Sequence, residues 1–338
     1  MNTTVETDRL TYRPLREDEL GVVVHLYDLA GWGPVTEQWV RSWLVHGPLG
    51  PALVMGIVDD RGEVLGMTTY GAVRVQTFDE EVLACRGRAA VLVPELRRSG
   101  RRVSAVDEHD PLYQLSLAAR AHLRDRGWTL LYGIPHPTMQ KRSDISVAPP
   151  LGRRDRCAIP GVRFEIAGVE PGPMPLDVTI GERPGEEYDR LWIRARVGLG
   201  IECAVLRDAR GLAATRGNVF IECRLPGSDE LVGYWVVDVT SSGKGRLMDY
   251  LAADEDALLP VALTASNWLR RHQIPTDEGP VTCRYVSCLA HERYSDALRG
   301  AGATDIDWPF AFSVSCIDEN GPDRPEHDPR RWYVTTGD

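Results

Sequence analysis

Ala90-Val91-Leu92-Val93-Pro94-Glu95-Leu96-Arg97-Arg98-Ser99-Gly100-Arg101-Arg102 is the stretch on which the reading of this chain turns. Its first four residues are apolar and end a strand that begins at Glu81, and the proline after them cannot continue a hydrogen-bonded ladder. Four arginines and a glycine then crowd into the six residues from Arg97 to Arg102. Glycine permits close approach of the backbone to a bound group, and guanidinium groups suit an anion. Asp110-Pro111 opens the next helix, with Asp as cap and Pro in the first turn, and the helix runs to about Arg126. Strand, basic turn and helix in that order make a concave cationic site in which backbone N–H groups cradle phosphates. The bland alternative, a solvated arginine-rich surface turn, stays open on these residues alone.

Upstream of this stretch, Thr11–Leu15 reads as a strand and Glu17–Ala30 as a helix with Leu20, Val23, Val24 and Tyr27 at helical spacing. Thr36 caps a second helix that Gly47-Pro48 stops. Ala52–Val58 and Val64–Val75 form a hairpin through Asp59-Asp60-Arg61-Gly62, and Trp128–Ile134 is the strand after the helix. Prolines around Glu170–Pro175 mark a linker, after which the pattern restarts. Helices are expected at Glu186–Val197 and Cys203–Arg216, then strands at Val219–Leu225, Leu231–Val239 and Gly245–Leu251. The helix Ala257–Arg271, the strand Val281–Ser287, the helix Glu292–Arg299 and strand-like Phe310–Cys316 and Trp332–Thr335 complete the series. The expectation is an α/β protein of mixed α+β sheets in two domains, residues 1–168 and 176–338.

Length agrees with this, because 338 residues exceed what one core usually covers. Lys+Arg 39 against Asp+Glu 49 gives a net charge of −10, which argues against a nucleic-acid partner. No apolar run approaches the roughly 20 residues that span a bilayer, and Met1–Leu15 has no leader-like apolar segment, so a cytoplasmic protein is expected. Lys141 and Lys244 are the only lysines, a usage that suggests a GC-rich bacterial gene. The seven cysteines are scattered and read as buried thiols. Cys283, Cys288 and His291 come nearest to a metal set, but a spacing of five turns two strand cysteines to opposite faces, so no metal is expected.

Val91 to Gly100 resembles the "V-x-P-E-x-R-x-x-G" passage of GNAT-type N-acyltransferases, and Arg126-Gly127-Trp128 through Tyr132-Gly133-Ile134-Pro135-His136-Pro137 resembles the fifth strand and following turn of a bacterial tandem-GNAT group. Arg207-Asp208-Ala209, Leu231-Val232-Gly233-Tyr234 and Asp249-Tyr250-Leu251 resemble that group's second domain. The resemblance implies two GNAT-like domains in tandem. It also implies acetyl-CoA or another acyl-CoA as donor, held at Val93, Arg97, Arg98, Gly100 and Arg102, and a small amine as acceptor. Arg102 departs from the family's glycine or alanine, and Val103 to His109 delay the helix, which moves its dipole away from a pyrophosphate. In the second half the matching turn, Ala252 to Ala257, has no glycine and three carboxylates. It repels a pyrophosphate, so that domain is expected to be degenerate.

Acyl transfer to an amine needs a group that takes the ammonium proton and one that protonates the thiolate. The family's carboxylate on the fourth strand and tyrosine after the fifth are both missing. The remaining candidates are Glu81, with Glu80 beside it at the strand's entrance, His136 in the turn beyond the fifth strand, and His109 within Asp107-Glu108-His109-Asp110. A histidine bonded within its own turn and a solvated charge run are the plain alternatives. Cys85, followed by Arg86 and Arg88, reads as a nucleophile or as an ordinary strand cysteine. Two further readings keep the fold: a transferase using a carrier-protein thioester or aminoacyl-tRNA, and a catalytically degenerate pair that binds a metabolite or partner. Neither acceptor nor oligomeric state is encoded in a motif, since acceptor pockets on this architecture are built from variable loops.

Overall fold

Asp59 makes its turn as its side chain demands: Oδ1 accepts the N–H groups of Arg61 and Glu63 at 3.0 and 2.7 Å, and Gly62 takes φ +84°. That turn closes the first hairpin of a computed structural model. The model describes residues 9–31, 35–47, 49–78, 80–96, 107–134, 154–181, 184–213, 215, 217–290, 292–307, 311–317 and 324–336. In chain order the first half runs β1 (Thr11–Pro14), α1 (Gly21–Leu29), α2 (Glu37–Leu44), β2 (Leu53–Val58), β3 (Val64–Thr77), β4 (Glu80–Leu92), α3 (Pro111–Asp125), β5 (Leu130–Gly133) and β6 (Arg154–Ala158). Then come β7 (Gly161–Glu165), β8 (Asp177–Gly181), α4 (Glu186–Gly198), β9 (Cys203–Val205), α5 (Ala209–Leu212), β10 (Val219–Arg224), β11 (Leu231–Val239) and β12 (Lys244–Ala252). The chain continues through α6 (Glu255–Arg271), β13 (Gln273–Ile274), β14 (Val281–Thr282), β15 (Tyr285–Leu289), α7 (Glu292–Gly300), β16 (Thr304–Ile306), β17 (Ala311–Cys316) and β18 (Trp332–Tyr333).

These elements form two compact units. The first holds the described residues within Met1–Arg74, Val82–Cys157 and Ala311–Arg330; the second holds those within Val75–Glu81, Ala158–Phe310 and Arg331–Asp338. In the first, the strands lie in the order β1-β2-β3-β4-β5-β17-β6; in the second, β8-β10-β11-β12-β15-β7-β16. Position by position the two orders match, and one strand is exchanged. β7, which follows the first unit's last strand in the chain, pairs with β15 and β16, while β17, which follows β16, pairs with β5.

Both faces of the first unit's sheet are covered because its strands are apolar on both sides. Leu112, Leu115, Ala119 and Leu123 of α3 pack with Leu53, Met55, Ile57, Tyr70, Cys85 and Leu92. Val23, Leu26, Tyr27, Val40 and Leu44 of α1 and α2 pack with Val54, Met67 and Val91. Each fully buried leucine of this kind contributes about 1.5–3 kcal/mol.

One expectation needs correction. Cys203–Arg216 is not a helix: Cys203–Val205 is a strand, antiparallel to Val75–Thr77, and only Ala209–Leu212 is helical, capped by Asp208 through its bond from the Gly211 N–H. The proline-rich stretch is tied down along α6, where Gly172 N–H and Pro173 C=O bond Asn267, and Leu176 N–H bonds Thr264 Oγ1. Among the described residues no helix is long and apolar enough to cross a membrane, and no cluster of His, Cys, Asp or Glu is placed to hold a metal ion.

Candidate active site

β4 and β5 run parallel and pair at three positions, Ala84 with Leu130, Cys85 with Leu131 and Arg86 with Tyr132. There the ladder ends, although β4 runs on to Leu92. The next pair in register is Gly87 and Gly133, and a Cβ on Gly133 would stand 3.3 Å from the Gly87 carbonyl oxygen. Two glycines leave no side chain above or below the sheet where the strands part. On its far side β5 is fixed by β17, with Ser313 Oγ donating to Gly133 O at 3.0 Å and Phe312 against Tyr132 at 5.9 Å. The end of β4 stays with β3, since Val93 N–H donates to Leu65 O at 2.9 Å. β4 thus continues past its last pair with β5, whose described residues end at Ile134.

Between β4 and α3 lie the eighteen residues 93 to 110. Helix α3 begins at Pro111, which has no N–H, and the Asp110 carboxylate accepts the Leu112 N–H at 2.8 Å while Asp110 C=O accepts that of Gln114 at 3.1 Å. Asp110 is 1% exposed. A buried carboxylate thus occupies the helix start that would otherwise attract phosphate, and any cradle for a pyrophosphate falls to the loop before it.

Arg97, Arg98, Gly100, Arg102 and His136 lie outside the described residues. Val93 is half-buried with both backbone groups in use, its C=O accepting from Leu96 N–H at 3.1 Å, which leaves only its side chain to meet a donor. His109 is exposed, and its N–H bonds Asp107 Oδ1 at 3.0 Å, so two of the four residues in that charge run serve as turn and cap. Glu81 is exposed and stands six residues before Gly87 on β4, about 20 Å at strand rise and beyond a glutamate's reach of the gap. Cys85 is buried under α3, and burial pushes its thiol far above the usual range, which rules it out as a thiolate nucleophile.

The second unit repeats the geometry with different contents. β12 and β15 also pair at three positions, from Lys244 with Tyr285 to Arg246 with Ser287, and β12 runs on to Ala252. Its register against β11 shifts so that Asp249 faces Val236 while Leu247 faces Val237, leaving Met248 as the bulge. Beside this bulge Arg207 Nε donates to Asp249 Oδ1 at 2.9 Å and the Tyr234 hydroxyl to Asp249 Oδ2 at 3.0 Å, both inside the core. Burial raises the Tyr234 and Tyr250 hydroxyls well above their usual range, so both stay protonated and Tyr234 remains a donor to Asp249. The sequence resemblance named Arg207, Tyr234 and Asp249 separately, and it is the fold that brings the three into one network.

The junction after β12 is closed. Only Ala253 and Asp254 separate it from α6, and Asp254 Oδ1 caps the helix through Ala257 N–H at 2.9 Å with Glu255 and Asp256 following. Gly198 at the end of α4 bridges to Asp254, and a Cβ there would come 2.4 Å from Ala253 O.

No protein-family model and no curated protein matches the sequence. Solved structures do. A GCN5-related N-acetyltransferase from Anabaena variabilis matches with a TM-score of 0.61 at 11% identity, over 92% of this chain and 73% of that one. A tandem GNAT protein from the clavulanic acid biosynthesis pathway, in its form without AcCoA, matches at 0.52 and 16% identity over 93% and 100%. Saccharomyces cerevisiae N-myristoyltransferase with bound myristoyl-CoA matches at 0.55 and 9% identity over 91% and 82%. At these identities the likeness shows the fold. The chain has the fold of these GNAT structures, α/β with mixed sheets, and repeats it in tandem.

Proposed function

We propose that the first unit is an acyl-CoA-dependent N-acyltransferase that moves an acetyl or other acyl group to a small amine, and that the second unit binds no donor of its own. The observation that carries this is the end of the β4–β5 ladder at a facing pair of glycines, followed by an eighteen-residue basic connection; on this reading the strands part beyond the glycines and leave a gap between their edges. The thioester arm of acyl-CoA contains two amides, matching a gap between strand edges, and Arg97, Arg98 and Arg102 supply charge-assisted bonds to its phosphates. In the reaction the amine nitrogen bonds the acyl carbon and the C–S bond breaks. One group takes the ammonium proton and one proton goes to the thiolate. His136, three residues beyond Gly133, is the group to test for that work, since an imidazole of ordinary pKa near 6.5 serves either transfer. The reading sets the enzyme in the cytoplasm.

Calorimetric titration with acetyl-CoA tests it. One equivalent per chain is expected, with binding lost in Gly133→Val, whose branched side chain fills the mouth of the gap. Absence of binding to the intact chain, or unaltered binding in a folded Gly133→Val protein, overturns it. A second reading, a carrier-protein thioester as donor, draws on Asp110: such a donor brings one phosphate on the same arm and has no need of a pyrophosphate near α3. Tighter binding of S-acetyl-phosphopantetheine than of acetyl-CoA selects it.

A further inference from the structure

We infer that the segment Trp332–Thr336 is the resident ligand of the second unit's strand gap, taking the strand-edge groups that an extended amide-bearing arm would use and so excluding a second acyl-CoA. Trp332, Tyr333, Val334 and Thr335 are each 1–2% exposed, which marks a core segment and not a tail laid on the surface. The segment pairs parallel with β9 at Trp332 with Cys203 and Tyr333 with Ala204.

From there it touches both diverging strands. The Tyr333 hydroxyl donates to Tyr250 O on β12 at 2.5 Å, beyond the point where β12 has left β15. On the other side, Ala290 N–H donates to Pro160 O next to β7, so by alternation the Leu289 N–H points to the opposite edge, toward β12. Thr336 Oγ1 accepts it at 3.0 Å. One short segment therefore takes a carbonyl on one edge of the gap and an N–H on the other, as an amide chain seated there would. Its side chains are bound as tightly. Tyr333 lies edge-on to Tyr250 and Tyr294 at 5.8 and 5.2 Å, and the Arg207 guanidinium sits 4.7 Å from its ring centre and donates to Thr335 Oγ1 at 3.1 Å. The closed junction at Gly198 and Asp254 bars the phosphate end of a donor, and this segment bars the arm.

Thr336→Val keeps the side-chain volume and removes the acceptor. In amide exchange on the intact chain, Leu289 N–H is expected to exchange about tenfold faster, with Leu247 unaltered. An unchanged rate at Leu289 overturns the assignment, whatever the first unit binds. Tyr333→Ala tests exclusion, with S-acetylpantetheine as probe because it lacks the phosphates that the acidic junction repels. The variant is expected to bind one equivalent more than the wild type. A wild-type chain that binds two equivalents with Leu289 still protected overturns the inference, and so does a folded Tyr333→Ala chain, open to protease at 331–336, that binds no more than wild type. If Tyr333→Ala does not fold, exchange in Thr336→Val decides alone.

Discussion

The two units pair their fourth and fifth strands over the same three positions and join the fourth strand to the next helix in opposite ways. Eighteen residues with an arginine cluster make that join in the first unit; two residues beneath a glycine contact make it in the second. The three-pair parallel ladder and the strand order survive in both, because they hold the sheet together whether or not anything binds. The difference teaches that this fold keeps its scaffold by sheet pairing and gains or loses a ligand site at one connection. Where no ligand enters, polar groups on the strand edges still need partners, and the chain supplies them.

The largest effect expected from breaking this contrast is at Asp249. Arg207 is 2% exposed and loses its buried counter-ion in Asp249→Ala, which should cost about 3–5 kcal/mol in denaturant unfolding of the second unit. Arg207→Met combined with Asp249→Leu should recover most of that loss, since the penalty lies in the unpaired charge. A single Asp249→Ala variant as stable as wild type would show that the pair holds nothing together.

In the first unit the contrast is sharpened through the donor. Arg97→Glu and Arg98→Glu each remove a charge-assisted bond worth about 1.5–3 kcal/mol and should weaken acetyl-CoA binding at least about tenfold without unfolding the chain. Gly100→Val should do the same with every arginine kept, because a branched side chain blocks backbone approach. Unaltered affinity in all three would move the phosphates away from this loop. Next in size is Gly198→Val, which drives a side chain into Ala253 O and should cost about 1–3 kcal/mol as α4 is pushed off the junction. Stability within error of wild type would mean that the junction is not sealed by this contact.

Most of the order of elements was legible because apolar periodicity and turn chemistry are local, but β6, β7, β8 and β16, short strands with little apolar alternation, found no place in the sequence reading. Asp59–Gly62, the Asp110-Pro111 helix start and the restart at Glu186 all lie where their residues ask. The strand exchange was not legible: β17 has the pattern of a strand, but which sheet it and β7 join depends on pairing over long separations that no local pattern encodes. Cys203–Val205 reads as helix by spacing and becomes a strand because Val75–Thr77 and Trp332–Tyr333 pair with it on either side. The same limit hid the site. Gly87, between two arginines, and Gly133, in an apolar run, are lone glycines until the register sets them side by side. Tyr333 is one aromatic among many until it lies against Tyr250.

A smaller effect distinguishes the units by pH. Arg13 forms a bidentate pair with Glu19 at 2.8 and 2.6 Å, and that pairing holds the Glu19 carboxyl down to about 2 from the ordinary 4.5. The folded value lies below the unfolded one, so the contribution is full above pH 4.5 and is lost as pH falls toward 2. Glu19→Gln should flatten the acid limb of the first unit's stability curve over that window. An unaltered limb would assign it to other carboxylates.

The smallest expected effect decides most about the donor. Asn caps a helix as well as Asp does, so Asp110→Asn should keep the bond from Leu112 N–H and leave stability nearly unaltered. It removes one negative charge from the start of α3, where a charge interacts with the helix dipole and with nearby anions by about 0.3–1 kcal/mol. If the pyrophosphate sits within a turn of that helix, acetyl-CoA affinity should therefore rise about two- to fivefold, and the gain should shrink with added salt. Equal affinity in Asp110→Asn and wild type, together with a tenfold loss in Arg97→Glu, would place the phosphates on the loop alone and make α3 a bystander. Such a split would separate the first unit from any donor site built on a helix start, and it would explain how the chain tolerates a buried carboxylate there.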